Sequence, residues 1–148
     1  MPPTFFLQPL LDLMRERVDE ATRKLGEFIA AEQNAKKRLE LILQYREEYA
    51  ARFVAAQKAG LTAREYQNYQ EFLAQIEEAV RQQTMLVGRS EQDTADGQAR
   101  WQEQNTRMKA IDALAVRHEK AEERRALKQE QKDHDEISAI KQHRKRND

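Results

Sequence analysis

The chain has 148 residues, of which 35% are charged and 39% are hydrophobic, with only four glycines and three prolines. Its mean hydropathy of -0.98 is typical of long solvated helices and not of a compact globule. The 26 basic and 26 acidic side chains cancel, so no global field directs the protein to nucleic acid or to an anionic membrane. The lack of cysteine excludes disulfides, thiolate metal sites and a thiol nucleophile.

The first thirteen residues contain several large apolar side chains, but Gln8, Pro9 and Asp12 interrupt them and no basic stretch precedes them. This pattern is not that of a secretory signal, and no other stretch approaches the length of a membrane-spanning helix. We therefore expect a soluble, cytoplasmic protein.

A first helix is predicted over about residues 9–58. Counting from Leu11 in alternating steps of three and four residues gives one mainly apolar stripe along the helix, which we call the seam. Only Glu32 and Arg46 interrupt it with charged side chains. The seam residues are Leu11, Met14, Val18, Ala21, Leu25, Phe28, Glu32, Ala35, Leu39, Ile42, Arg46, Tyr49, Phe53 and Ala56. A helix that keeps one apolar face at this period must bury that face against another helix.

A turn is predicted over residues 59–62, with a second helix from residue 63. Gly60 suits the position just after a helix end, and Thr62 with Glu65 three residues later forms a capping-box pattern. The same seam stepping then resumes at Tyr66 and continues to Ala115. The short turn predicts an antiparallel pair, with facing residue numbers that sum to roughly 122 from the heptad register.

This register places Phe53 opposite Tyr69 and Gly97 opposite Leu25. Gly88 and Gly97 lie within the second helix, and each interior glycine costs about 1 kcal/mol relative to alanine. We therefore expect a bend or local fraying between Val87 and Gly97.

Residues 116–148 form a charged extension, helical or partly disordered, because the first helix leaves no partner for them beyond Ala115. The fold class is therefore all-α: two long helices form an antiparallel coiled-coil hairpin over residues 1–115, and the second helix overhangs.

The extension ends in a basic run over residues 141–146, but from Val116 onward the chain has ten basic and eight acidic residues, a net charge of +2. Such a run usually solvates a helix end, so nucleic acid is not expected as a partner.

No catalytic or ligand-binding constellation is present in the sequence. The histidines His118, His134 and His143 lack metal-ligand spacing, and no glycine-rich phosphate loop follows a strand. Paired carboxylates are abundant, but general acid-base chemistry needs a concave, desolvated site that two helices do not provide. We expect no enzyme activity, no cofactor and no metal.

Aromatic side chains are concentrated near the turn, and Tyr45 and Phe72 lie off the predicted seam, as do Leu43 and Ala79. An apolar and aromatic patch on a hairpin surface is typical of a partner-binding site. A locally thicker core is the other interpretation of the same residues.

Residues 41–49 (LILQYREEY) and 68–80 (NYQEFLAQIEEAV) resemble the FliJ family of flagellar type III export proteins. The early segments at 11–13, 19–21 and 25–27 are also similar, as is the chain length. The resemblance extends from about Leu10 to Gln83 and is weak beyond it, apart from Trp101.

The resemblance implies a cytoplasmic stalk protein peripheral to the inner-membrane export apparatus. The partners it implies are the hexameric export ATPase (FliI), reached by the helix ends, the export gate protein (FlhA), reached by the hairpin region, and export chaperones. It also implies a set of gate-binding positions: Arg38, Ile42, Tyr45, Tyr49, Phe72, Ile76, Ala79 and Gln83.

Two alternatives stay open from the sequence. One is the equivalent stalk of a virulence-type (injectisome) type III secretion system, which shares the hairpin and the ATPase partner. The other is a self-associating structural coiled coil, which would form dimers or larger assemblies where a stalk would be a monomeric hairpin.

Overall fold

The computed structural model describes residues 4–147, which form two α-helices and no strand. Helix α1 spans Gln8–Ala59 and helix α2 spans Ala63–Asn147. They pack against each other as an antiparallel hairpin, which confirms the predicted fold class. Residues 1–3 and 148, which the sequence assigns to the hairpin and to the extension, lie outside the described residues.

The residues between the helices provide a cap on each side of the turn. Gly60 adopts φ = 101°, a conformation that favours glycine and commonly ends a helix, and its N–H donates to the Gln57 carbonyl at 3.3 Å. The Thr62 hydroxyl accepts a hydrogen bond from the Glu65 N–H at 3.1 Å, which satisfies one of the free donors at the start of α2.

The contacts fall into two compact units, each containing part of both helices. The first comprises the residues up to Asp19 together with those from Glu103, and the second comprises Glu20–Gln102. The predicted division of the chain after Ala115 does not follow either unit and stays a prediction.

In the second unit the helices face each other in the register that the heptads predict. The Phe53 and Tyr69 rings lie 5.3 Å apart, and a Cβ placed on Gly97 would lie 3.6 Å from Leu25 Cδ1. Ile76 and Val87 are buried along the same seam.

Of the bend or local fraying expected between Val87 and Gly97, the fraying is wrong, because α2 is helical without interruption through both glycines. The physical reason lies at Gly97, which is buried and faces the Phe28 ring of α1. Tertiary packing along an apolar face supplies most of the stability of a helix in a protein, so it offsets a poor local propensity. The bend stays a prediction.

In the first unit, Leu11 is 1% exposed and Met14 is also buried. Arg15 pairs with Asp112 across the two helices at 3.2 Å. The Phe5 ring precedes α1 and lies 5.5 Å from the His118 ring, so contacts between the two arms continue three residues past Ala115. From Glu123 to Asn147 every residue is exposed, and this part of α2 overhangs α1.

No helix within residues 4–147 is both long enough and apolar enough to cross a bilayer.

Candidate partner-binding surface

An apolar groove runs between α1 and α2 in the second unit; we call it the aromatic groove. It has a volume of about 350 Å³. Its lining residues are Leu41, Ile42, Tyr45, Phe72, Gln75, Ile76 and Ala79. Five of the eight predicted gate-binding residues therefore line one groove.

Packed aromatic rings support one end of the aromatic groove. The Phe72 ring lies 4.5 Å from the Tyr49 ring and 6.2 Å from the Tyr45 ring. Tyr49 is half-buried and does not line the groove, and the Tyr69 ring lies 5.3 Å from the Tyr49 ring. Rings in edge-to-face and tilted contact stabilise each other, so the cluster supports this end of the groove.

The surroundings of Tyr49 also affect its ionisation. Desolvation raises the pKa of the Tyr49 hydroxyl above its usual value, and the neighbouring Tyr69 and Tyr45 raise it further, while Arg52 opposes them. The Tyr49 hydroxyl therefore stays neutral. The Tyr49 ring supports the groove by packing against Phe72 and Tyr45.

A second groove, which we call the basic groove, adjoins the first. Its lining residues are Ala31, Asn34, Ala35, Lys37, Arg38, Leu41, Gln83, Leu86 and Ser90. Arg38 and Gln83 belong to it, and Leu41 lines both grooves. Seven of the eight predicted residues thus line two adjoining grooves, and the eighth, Tyr49, packs against Phe72 of the first groove.

Gln83 is a buried polar residue at the base of the basic groove, with 8% exposure. Its Nε2 donates to the Ala35 carbonyl of α1 at 3.0 Å. A buried amide with a partner across the interface fixes the relative position of two helices more than it adds stability. Gln83 is therefore a positioning residue, while Arg38 is exposed and free to meet a partner.

Two exposed leucines of this surface are not among the residues predicted from the sequence. Leu41 is 63% exposed and Leu86 is 49% exposed, and both line the basic groove. Neither lies on the heptad seam, which was the pattern used to find core positions. Their signal was present in the sequence as large apolar residues at positions where a two-helix hairpin faces water.

The charges around the hairpin are unevenly placed. Two ion pairs cross between the helices in this region, Arg46 with Glu77 at 3.3 Å and Lys36 with Glu91 at 3.9 Å, and none of these four residues lines either groove. The only charged residues that line the grooves are Lys37 and Arg38, and no carboxylate does. The combined surface is therefore apolar with a basic edge.

Within residues 4–147 no group of three or more histidine, aspartate or glutamate side chains is arranged to hold a metal ion. His118 Nε2 lies 3.9 Å from a Glu122 carboxylate oxygen one helical turn away, a single contact within one helix and not a set of metal ligands.

Comparison with known proteins agrees with the resemblance in the sequence. The model of the family described as flagellar FliJ protein matches residues 4–147. A flagellar FliJ protein of Escherichia coli (strain K12) is 30% identical over 115 residues, which cover 78% of this chain and 78% of that protein. The flagellar FliJ protein of Salmonella typhi is 29% identical over 111 residues, which cover 75% of this chain and 76% of that protein. The chain therefore belongs to the flagellar FliJ protein family.

Proposed function

We propose that the protein is a cytoplasmic stalk that binds the export ATPase ring (FliI) and couples it to the export gate protein (FlhA) at the inner membrane. Membership of the FliJ family makes the chain a component of the flagellar export apparatus. The proposal assigns ATP hydrolysis to the ATPase and no chemical step to this chain. Export chaperones are further proposed partners, with no residue assigned to them.

The observation that carries the gate part of the proposal is the pair of grooves. Seven residues proposed from the family resemblance line two adjoining grooves whose walls include exposed apolar side chains. Apolar surface of this kind, with few charges at its centre, is typical of protein interfaces. Leu41 and Tyr45 are its most accessible large side chains near the aromatic end, at 63% and 44% exposure.

The ATPase part of the proposal is supported by the overhang of α2. Its residues from Glu123 to Asn147 have no partner helix within the described chain. Leu127, Ile137 and Ile140 are all exposed along it, and a long helix with exposed apolar side chains and mixed charges is suited to insertion between subunits of a ring. We propose that this helix, with the nearby start of α1, contacts the ATPase.

The experiment measures both partners with purified proteins. Adding the full chain should promote hexamer formation of the ATPase and raise its rate of ATP hydrolysis, measured by sedimentation and phosphate release. An ATPase whose assembly and rate do not respond to the chain would contradict the stalk role.

For the gate, Leu41→Gln combined with Tyr45→Ala should weaken binding to the cytoplasmic part of the gate protein by about tenfold or more, since central interface side chains contribute most of the affinity. Helicity should be nearly unchanged, because Leu41 is exposed and Tyr45 lies off the seam that joins the two helices. The control is Val54→Gln, which removes an exposed apolar side chain that lines neither groove. Equal binding by the groove variant and the control would show that the gate binds elsewhere.

A further inference from the structure

We infer that the two grooves together receive one amphipathic helix of the gate protein, and that a carboxylate on this helix pairs with Arg38. This inference rests on the proposed function, since it takes the gate protein as the partner. It adds the secondary structure of the bound segment, its charge, and the residue of this chain that selects it.

The charge of the bound segment follows from the charges of the grooves. Lys37 and Arg38 are the charged lining residues, and both are basic. Within residues 4–147 no carboxylate lies within ion-pairing distance of Arg38, whereas Arg46 and Lys36 each pair with a glutamate of α2 away from the grooves. A guanidinium that meets an interface without its own counter-ion is best satisfied by a carboxylate of the partner.

The secondary structure of the bound segment follows from the backbone of the two helices that form the walls of the grooves. Both walls are α-helices, whose backbone N–H and C=O groups already bond within each helix. An extended segment would find no backbone partner there, and its own buried polar groups would stay unsatisfied. A helix satisfies its own backbone and can lay an apolar stripe along a groove between two helices.

The spacing of groove residues along α1 predicts the sequence pattern of the partner. Arg38, Leu41 and Tyr45 follow one another at intervals of three and four residues, so one side of α1 presents a charge, an exposed leucine and an aromatic edge. Seven residues of helix rise about 10 Å. A partner helix lying along α1 should therefore carry an acidic residue about two turns from an apolar residue that packs on Tyr45 and Phe72, with another apolar residue between them over Leu41.

The test measures affinity between the full chain and the cytoplasmic part of the gate protein by calorimetry at low and high salt. Arg38→Glu should weaken binding by about tenfold or more, Arg38→Gln should weaken it less, and both should reduce its salt dependence. The control is Arg23→Glu, which makes the same change in net charge at an exposed position of α1 that lines neither groove. Its affinity should stay within about twofold of the unsubstituted chain, because screening weakens distant exposed charges.

A charge-reversal series identifies the partner residue. Acidic residues of the gate protein are changed to lysine one at a time, and a single one of these should restore binding to Arg38→Glu while weakening binding to the unsubstituted chain. Failure of every reversal to restore binding would overturn the carboxylate pairing.

The outcomes separate this inference from the function on which it rests. If the unsubstituted chain binds the gate and Arg38→Glu binds equally well, the inference is wrong and the proposed function stands. If the unsubstituted chain does not bind the gate at all, the proposed gate contact fails and the inference fails with it. A dimer of this chain that Arg38→Glu dissociates in sedimentation would show that a second copy occupies the grooves, which would also overturn the inference.

Discussion

Gly97 has an unfavourable effect on local helix propensity but allows close packing in the folded hairpin. In isolation it weakens a helix by about 1 kcal/mol relative to alanine. In the hairpin it is buried, and a Cβ at this position would lie 2.8 Å from Phe28 Cδ2 and 3.3 Å from Phe28 Cε2. The absent side chain is what lets the Phe28 ring approach α2.

The two interior glycines of α2 should therefore respond in opposite ways to alanine. Gly88→Ala should raise the free energy of unfolding by about 1 kcal/mol, because no atom lies within 4 Å of the new Cβ and helix propensity improves. Gly97→Ala should lower it by up to about 2 kcal/mol, because overpacking costs about 1 to 3 kcal/mol and exceeds the gain in propensity. Urea denaturation followed by circular dichroism measures both, and a stabilised Gly97→Ala would show that Phe28 moves aside freely.

The register could be predicted from the sequence, but this contact could not. The heptad period fixes which residues face each other, and Gly97 does lie opposite Leu25. The approach of Phe28 depends on the rotamer of its side chain, which the apolar period does not encode. The same holds for the hydrogen bond from Gln83 to the Ala35 carbonyl, since the sequence showed a polar seam residue without its partner.

At the level of elements, α2 combines two different environments in one helix. Its earlier part packs against α1, with Ile76, Gln83, Val87 and Gly97 buried. Its last 25 residues, from Glu123, are exposed on every side, and such a segment has only local pairs such as that of Arg125 with Glu122 at 3.0 Å to support it. Surface pairs of this kind contribute a few tenths of a kcal/mol each.

Removal of this exposed segment should leave the hairpin intact. A chain that ends at Glu123 should unfold in urea with a free energy within about 0.5 kcal/mol of the full chain, because the deleted residues bury no core. The helical signal should fall in proportion to the residues removed. A loss well above 1 kcal/mol would indicate that the segment packs against another part of the chain in solution.

At the level of the whole molecule, the apolar period was sufficient to predict the fold class. The same heptad period occurs in α1 and α2, and the short turn between them allows only an antiparallel pair. The period was not sufficient for the surface, because it identifies only residues that face the other helix. Tyr45, Phe72 and Ala79 are exceptions to the period, and the family resemblance implied the other five residues of the predicted set. Leu41 and Leu86 lie off the seam as large apolar residues, and only the geometry of the grooves brings them together on one surface.

The contact between Trp101 and Thr22 gives the protein a built-in optical reporter. Trp101 is the only tryptophan, and its indole N–H donates to the Thr22 hydroxyl of α1 at 2.9 Å. Its fluorescence therefore reports on helix pairing at one defined place in the unit that also contains the two grooves. A gate segment that docks into the grooves should leave the emission maximum unchanged, whereas a partner that separates α1 from α2 there should shift it to longer wavelength as the indole enters water.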